Sequence, residues 1–294
     1  MLGMHKLTRL TALAVTAAVT LSITAVGSVA AQADELMLPD GGDGQFKVGI
    51  ASREIVNDVD RDLIAGVQGV IEAAGGTIVV TDAGGDPQKH NDNIESLMNS
   101  GIDALAISLG DAAQLAPAVA KANEKGVPVV SMLLLQQIEG SLADVSPDSA
   151  LMSAMVSRTF LQSIDYKGDV YLFWVPGAPL LEGYKAVFEA IASSYPEVII
   201  HEVPTEHGAA KSLTQMQDIL TANPEEGSIA GVWGAYDLLI SGADQAIKRA
   251  GRNEINVIGL DGDRIGFQML LEEDSPFIAT AVWEPLTAGE MAGN

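Results

Sequence analysis

Short apolar runs recur along this chain and alternate with segments of helical periodicity. Nine runs are apolar on both faces, which suits strands of a parallel sheet that is covered by helices on both sides. They are residues 48–51, 78–80, 104–107, 127–135, 170–175, 198–203, 229–233, 257–260 and 278–283. Because nine strands exceed one comfortable sheet, the pattern predicts two doubly wound α/β lobes. We place the break between the sheets at residues 141–149, where Asp144, Ser146, Pro147 and Asp148 interrupt the rhythm.

The intervening segments carry apolar side chains at spacings of three and four, which is the pattern of an amphipathic helix. The clearest stripes fall within residues 59–74, 184–191, 213–220 and 239–250. Asp86-Pro87 is typical of a helix start, since Asp can cap free N–H groups and Pro is preset for the first turn. Gly75, Gly101, Gly126 and Gly251 each follow a predicted helix, where a left-handed residue ends it at low cost.

The first 33 residues have the pattern of a signal peptide. Lys6 and Arg9 give a positive start, residues 10–26 are apolar, and Ala31-Gln32-Ala33 is a small-residue cleavage site that would leave Asp34 as the mature N-terminus. The alternative is a membrane anchor, which the threonines within the apolar stretch and the Ala-x-Ala ending disfavour. Residues 34–45 are polar and glycine-rich and are predicted to be a linker.

Charge and cysteine content exclude several classes of function. The chain has 16 basic and 39 acidic residues and a formal net charge of −23, which disfavours nucleic acid and anionic membranes as partners. It has no cysteine, so disulfides, thiol catalysis and zinc–thiolate sites are unavailable. No cysteine can accept a lipid, and the sequence therefore predicts a protein free in the periplasm.

The sequence shows no set of residues that predicts catalysis. Nucleophile-elbow, phosphate-loop and dinucleotide-binding glycine motifs are missing from it, and its four histidines are scattered. Asp261-Gly-Asp-Arg264 could hold Mg²⁺ at a strand end, but no second acidic cluster or phosphate-binding lysine accompanies it. A polar ligand contact or helix cap at Asp261 is the favoured interpretation. We predict no enzyme, no metal and no cofactor.

Six motifs resemble, in their order, the ribose- and galactose-type periplasmic solute-binding proteins. They are TDAGGDPQK at 81–89, DALAIS at 103–108, LAPAVAKANEKGVPVV at 115–130, VSPD at 145–148, MQDILTANP at 216–224 and VIGLDG at 257–262. The resemblance implies a type I periplasmic binding protein, whose two Rossmann-like lobes are joined by a hinge. It also implies a solute-binding component of an ABC importer with an inner-membrane permease as partner, or else a sensor that presents its ligand to a membrane receptor.

The resemblance further implies the extent of each lobe. The first lobe is expected at 46–145, the second at 146–284, and residues 285–294 are expected to return to the first lobe. Since the family continues with another crossing, the first lobe is expected to be C-terminally truncated here. A longer chain that includes this crossing would then be more stable, because it covers a sheet edge.

Carried over by position, the resemblance implies a ligand pocket between the lobes. Its residues are expected to be Asn57, Asp60, Ser131, Leu133, Leu134, Ala178, Tyr236, Asp261, Trp283 and Glu284, with Arg53 as the only basic group near the mouth. Family members often have an Asp-Arg pair where Leu133 and Leu134 stand and an arginine near Ala178. They commonly have Asn where Tyr236 stands and a polar amide where Trp283 stands. The sugar-reading polar set is therefore largely absent.

The expected pocket combines aromatic faces with carboxylates. Rings stack on the C–H faces of sugars, and carboxylates accept hydrogen bonds from hydroxyl or ammonium groups. We therefore expect a neutral sugar or polyol, with a small cationic amine as the alternative, and disfavour strongly anionic ligands. Trp174 could belong to the pocket or to the core, and the core is favoured.

Overall fold

The fold consists of two five-stranded sheets in which all paired strands are parallel. It is seen in a computed structural model that describes residues 46–273 and 275–294. The predicted signal peptide at 1–33 and the predicted linker at 34–45 lie outside these residues. Within the described ranges, no helix is both long enough and apolar enough to cross a bilayer.

The first sheet has the strand order β2-β1-β3-β4-β5. Its strands are β1 (Lys47–Ser52), β2 (Thr77–Asp82), β3 (Ala104–Ser108), β4 (Val129–Met132) and β5 (Ala143–Val145). The connecting helices are α1 (Asp58–Ala73), α2 (Pro87–Asn99) and α3 (Ala112–Glu124). Two apolar clusters, one containing Ile50 and Leu63 and the other Ile107 and Leu115, form the core of this lobe.

The second sheet has the strand order β10-β9-β8-β6-β7. Its strands are β6 (Gly168–Trp174), β7 (Val198–Pro204), β8 (Gly231–Gly234), β9 (Asn256–Asp261) and β10 (Phe277–Val282). Its helices are α4 (Ser149–Ser163), α5 (Pro179–Ala192), α6 (Ala209–Ala222), α7 (Asp237–Ala250) and α8 (Arg264–Leu271). A single apolar cluster contains Phe160, Phe188 and Trp233, and Trp174 belongs to it with 7% exposure.

Each of the nine apolar runs overlaps a strand, but the sequence did not predict β5. This three-residue strand pairs with β4 and lies inside the stretch 141–149, which the sequence analysis assigned to the break between the sheets. Its sequence Ala-Asp-Val has no apolar run, because β5 has only one strand neighbour and its residues are partly or fully exposed. Pairing alone defines this strand, and periodicity could not indicate it.

Helix ends follow local chemistry, as predicted. Asp86 caps α2 by accepting hydrogen bonds from the backbone N–H groups of Gln88 and Lys89, and Pro87 is the first helical residue. The four glycines after predicted helices all have positive φ, between 67° and 84°. These ends depend on residues within a few positions of one another, so the sequence alone is sufficient to place them.

A last helix, α9 (Pro285–Gly293), follows β10 of the second sheet and packs against α1 of the first lobe. The two helices approach closely where Gly66 faces Gly289. A Cβ atom on Gly289 would lie 2.0 Å from the backbone oxygen of Leu63. The chain therefore passes between the lobes twice, once before α4 and once before α9.

Candidate functional site: a cavity between the two sheets

The main cavity lies where the carboxyl ends of the two sheets face each other, which is where open parallel sheets bind ligands. It has about 70 Å³ of room for the centres of water-sized molecules and is partly open to solvent. The first lobe contributes the β1–α1 loop and the residues after β3 and β4. The second lobe contributes the residues that follow β6, β7, β8, β9 and β10.

Asp60 is a buried carboxyl on the first-lobe wall of the cavity. Its Oδ2 accepts the backbone N–H groups of Val56 at 2.8 Å and Asn57 at 3.2 Å, and the Asn57 side chain accepts the Asp60 N–H in return. This capping box fixes the start of α1 at the cavity. Burial raises the pKa of Asp60 to about 6, although both backbone hydrogen bonds act in the opposite direction.

Asp261, the last residue of β9, is a second buried carboxyl in the cavity. Burial raises its pKa to about 8, and the nearby charges of Asp263 and Asp60 act in the same direction. The Trp283 indole lowers the Asp261 pKa, but its Nε1 has no acceptor at good hydrogen-bond geometry within the described part of the chain. A ligand that accepts from Nε1 or donates to Asp261 would complete this pair.

Glu54 and His207 connect the two lobes across the cavity. The Nε2 of His207, which follows β7, lies 3.1 Å from Oε1 of Glu54, which follows β1. The Nδ1 of His207 lies 3.2 Å from the Tyr236 hydroxyl, which also accepts the backbone N–H of Gly208. Burial raises the pKa of Glu54 and lowers the pKa of His207. The Tyr236 hydroxyl is thus engaged within the protein, and its ring is what remains for a ligand.

The remaining wall is apolar. Leu109 and Leu133 follow β3 and β4 with φ values of 61° and 62°, a backbone region that is unfavourable for side chains other than glycine. Residues 178–181 line the opposite wall of the cavity in the second lobe. They are the residue before α5 and the first three residues of that helix. Strained residues tend to occur at functional sites, and three of the six non-glycine residues with positive φ within the described ranges line this cavity.

The structure brings six of the predicted site residues together at the cavity. They are Arg53, Asn57, Asp60, Tyr236, Asp261 and Trp283. Leu133 and Ala178, which the resemblance also implied, line it as well. The sheet topology makes this possible, because residues far apart in sequence follow the same ends of parallel strands.

Three predicted site residues lie away from the cavity. Ser131 is within β4, and its Oγ donates to Asp144 Oδ1 at 2.8 Å. Leu134 is buried in an apolar cluster of the first lobe. Glu284 is exposed at the start of α9. Positional transfer fails here because a shift of one residue in a strand or turn changes the face that a side chain occupies.

The sequence analysis missed Glu54 and His207, and Arg53 is not the only basic side chain at the cavity. Glu54 and His207 lie three and four residues after the predicted strands at 48–51 and 198–203, so their position near carboxyl strand ends was a usable signal. His207 immediately precedes Gly208, the N-cap of α6. In the described part of the chain, no three His, Asp or Glu side chains are grouped so that they could hold a metal ion.

The raised pKa of Asp261 predicts a pH-dependent difference in stability. Between its usual value of 3.8 and about 8, the folded protein holds a proton that the unfolded chain releases, so the wild type loses stability as pH rises through this range. Asp261→Asn removes this loss. We expect the stability of the variant relative to wild type to increase by up to about 1 kcal/mol per pH unit.

Thermal unfolding of ligand-free wild type and Asp261→Asn from pH 4.5 to 8.5 measures this difference. Carboxyls remote from Asp261 contribute equally to both proteins and cancel in the comparison, whereas Asp237, Asp60 and Asp263 interact with Asp261 and add a smaller difference of their own. Parallel curves over the whole range would contradict the assignment of a raised pKa to Asp261.

Comparison with known proteins identifies the same fold elsewhere. Residues 48–293 match the family described as periplasmic binding protein domain. The ribose import binding protein of Bacillus subtilis is 26% identical over 254 residues, which are 86% of this chain and 81% of that protein. The xylitol-binding protein of Mycolicibacterium smegmatis is 25% identical over 208 residues, which are 70% of this chain and 58% of that protein.

A solved structure agrees with this comparison. An ABC transporter solute binding protein from Agrobacterium vitis, crystallised with bound allitol, superposes with a TM-score of 0.79 at 24% identity. The match covers 85% of this chain and 87% of that one. The predicted fold class of two doubly wound α/β lobes is confirmed.

Proposed function

Because the chain belongs to the periplasmic binding protein family, we propose that it is the solute-binding component of an ABC importer and that it binds a small neutral sugar or polyol. The observation that carries the proposal is the cavity between the two sheets, with buried carboxyls and an aromatic face on its walls. A relative at 26% identity is named for ribose import and one at 25% for xylitol binding, which supports a polyhydroxylated ligand.

The charges at the cavity support a ligand without negative charge. The carboxyls of Glu54, Asp60 and Asp261 face the cavity. The basic side chains there, among the described residues, are Arg53 and His207, and burial disfavours the charged form of His207. An anion buried here would be repelled by those carboxyls that are ionised, such as Asp60 above its pKa of about 6, where water screens the charges poorly, and it would further oppose ionisation of Asp261. Hydroxyl groups can instead donate hydrogen bonds to the carboxyl oxygens while the ring of Trp283 contacts C–H groups.

The proposal includes the compartment and the partner. The predicted signal peptide at 1–33 would direct the protein to the periplasm, where it would remain free because no cysteine is available for lipid attachment. The partner would be the inner-membrane permease that receives the solute. The family match supports a binding protein rather than an enzyme.

Identification of a co-purifying ligand tests this function. We expect mass spectrometry of protein released under denaturing conditions to detect a sugar or polyol, and a thermal-shift panel of neutral sugars, polyols, amines and acids to select the same class. Small-angle scattering should show a smaller radius of gyration with the selected ligand than without it. Selection of sugar phosphates or dicarboxylates, or no response to any solute, would contradict the proposal.

A small cationic amine is the second candidate, since the carboxyls outnumber the basic groups at the cavity. A matched pair that differs by one amino group, sorbitol and 1-amino-1-deoxysorbitol, separates the two. Tighter binding of the amine would favour this second candidate.

A further inference from the structure

A buried carboxyl that does not line the cavity lies directly behind it. Asp237 is the first residue of α7 and is completely buried. Its Oδ2 accepts three hydrogen bonds, from the backbone N–H of Gly262 at 2.9 Å, the backbone N–H of Asp263 at 3.3 Å and the hydroxyl of Thr280 at 2.9 Å. One oxygen atom therefore joins the start of α7, the turn after β9 and strand β10.

Two glycines make room for this carboxyl. A Cβ atom on Gly259 would lie 2.1 Å from Oδ1 of Asp237, and a Cβ atom on Gly266 would lie 2.1 Å from Oδ2. Any larger residue at either position would displace the carboxyl group. Oδ1 has no hydrogen-bond partner within the described residues, so all of the polar contacts act through Oδ2.

The turn that Asp237 holds is the turn that presents Asp261 to the cavity. Asp261 has φ of 101° and Gly262 has φ of 66°. A non-glycine residue in this region is strained and persists only where the surroundings hold it there. The N–H that Asp237 accepts at 2.9 Å belongs to Gly262, the residue directly after Asp261.

We propose that Asp237 is a positioning residue, which holds the strained turn after β9 so that the Asp261 carboxyl stays buried in the cavity. Asp261 and Asp237 are surrounded by other ionisable groups. These are Asp263 on the same turn, Asp60 from the first lobe, and Tyr184 and Tyr236 from α5 and the start of α7.

The positioning role needs an acceptor oxygen rather than a negative charge. Burial raises the pKa of Asp237 well above its usual range, and Oδ2 can accept its three donors with or without a proton on the carboxyl group. An asparagine at this position keeps an acceptor oxygen of the same reach. Asp237→Asn is therefore the conservative variant, and Asp237→Ala removes the acceptor.

The test follows the titration of Asp261 in ligand-free protein, so its outcome does not depend on the proposed function. The three tryptophans are replaced by 5-fluorotryptophan, and the ¹⁹F resonance of Trp283 is assigned by its loss in Trp283→Phe. Because Trp283 lies beside Asp261, its resonance should titrate with a midpoint near the Asp261 pKa of about 8 in the wild type. Trp174 and Trp233 serve as internal references.

Asp237→Ala should lower this midpoint by about one pH unit or more, because a released turn exposes Asp261 to water and removes the burial that raises its pKa. Asp237→Asn should leave the midpoint unchanged. Thr280→Val, which keeps the side-chain shape and removes one of the three donors, should lower it by a smaller amount. This variant preserves the test if Asp237→Ala does not fold.

Asp244→Asn is the matched control. Asp244 is also buried on α7, but it pairs with Lys248 at 2.7 Å and does not line the cavity. The Asp244→Asn substitution should lower the melting temperature but leave the midpoint of the Trp283 ¹⁹F titration unchanged. The proposal is overturned if the Trp283 titration midpoint of folded Asp237→Ala equals that of the wild type. If only Thr280→Val folds, a wild-type midpoint in that variant has the same meaning. A shift in Asp244→Asn as large as that in Asp237→Ala would also overturn it.

Discussion

Gly66→Ala is expected to destabilise the protein by about 2–3 kcal/mol, the scale of overpacking at a close contact. A Cβ atom at this position would lie 2.2 Å from the backbone oxygen of Leu286, 2.7 Å from the backbone nitrogen of Glu290 and 2.9 Å from Cα of Gly289. All three are backbone atoms of α9, so no side chain can rotate away. The helix as a whole would have to move off α1.

Gly69→Ala provides a matched control on the same helix. Gly69 is exposed, and a Cβ atom there would meet no atom within 4 Å. The substitution should stabilise α1 by about 0.5–1 kcal/mol through helix propensity alone. Urea unfolding of the two variants and the wild type measures both effects. Wild-type stability in Gly66→Ala would show that α9 does not pack on α1 in solution.

Asp261→Ala is expected to weaken binding of the co-purified solute by about 1.5–3 kcal/mol. A solute hydroxyl that donates to Asp261 stabilises its ionised form, so the variant loses a charge-assisted hydrogen bond. The Asp261 carboxyl is buried at the cavity, and the nearby Trp283 indole nitrogen has no partner in the described part of the chain, so a ligand would supply the missing contacts. Trp283→Ala should cost a comparable amount, because it removes the aromatic face of the same wall. Isothermal titration calorimetry on folded variants gives both values.

Glu284→Ala is the control for this pair of substitutions. Glu284 is adjacent in sequence to Trp283 and has a carboxyl group like Asp261, but it is exposed and does not line the cavity. Its removal should leave the dissociation constant unchanged. If Asp261→Ala binds like the wild type while Glu284→Ala does not, the ligand site lies elsewhere than the cavity described.

Local pattern was enough to predict most of the secondary structure. Each of the nine apolar runs overlaps a strand, and α2 begins at Asp86-Pro87 as predicted. The run at 127–135 shows the limit of the method. Its strand β4 ends at Met132, because Leu133 takes a positive φ and turns the chain out of the sheet. Nothing in a run of apolar residues indicates that change.

The site could be predicted only in part, because some of its contacts join residues that are distant in the sequence. The resemblance to periplasmic solute-binding proteins, rather than a local pattern, assigned Asp60, Tyr236 and Asp261 to the cavity, and the parallel sheets bring these residues to one edge. The contact between Glu54 and His207 joins side-chain atoms from different lobes that are 3.1 Å apart. That contact depends on how the two sheets face each other.

The sequence by itself determined most of the strands and helices of this protein and their order, with β5 as the exception among the strands, because the spacing of apolar side chains, helix caps and turn glycines act over a few residues. Only the tertiary structure decided which strand-end residues meet, that Ser131, Leu134 and Glu284 lie outside the cavity, and that Asp237 lies behind Asp261. These features depend on strand register, on strained turns and on the packing of α9 against α1. Such contacts join residues that are distant in the chain, and no local pattern encodes them.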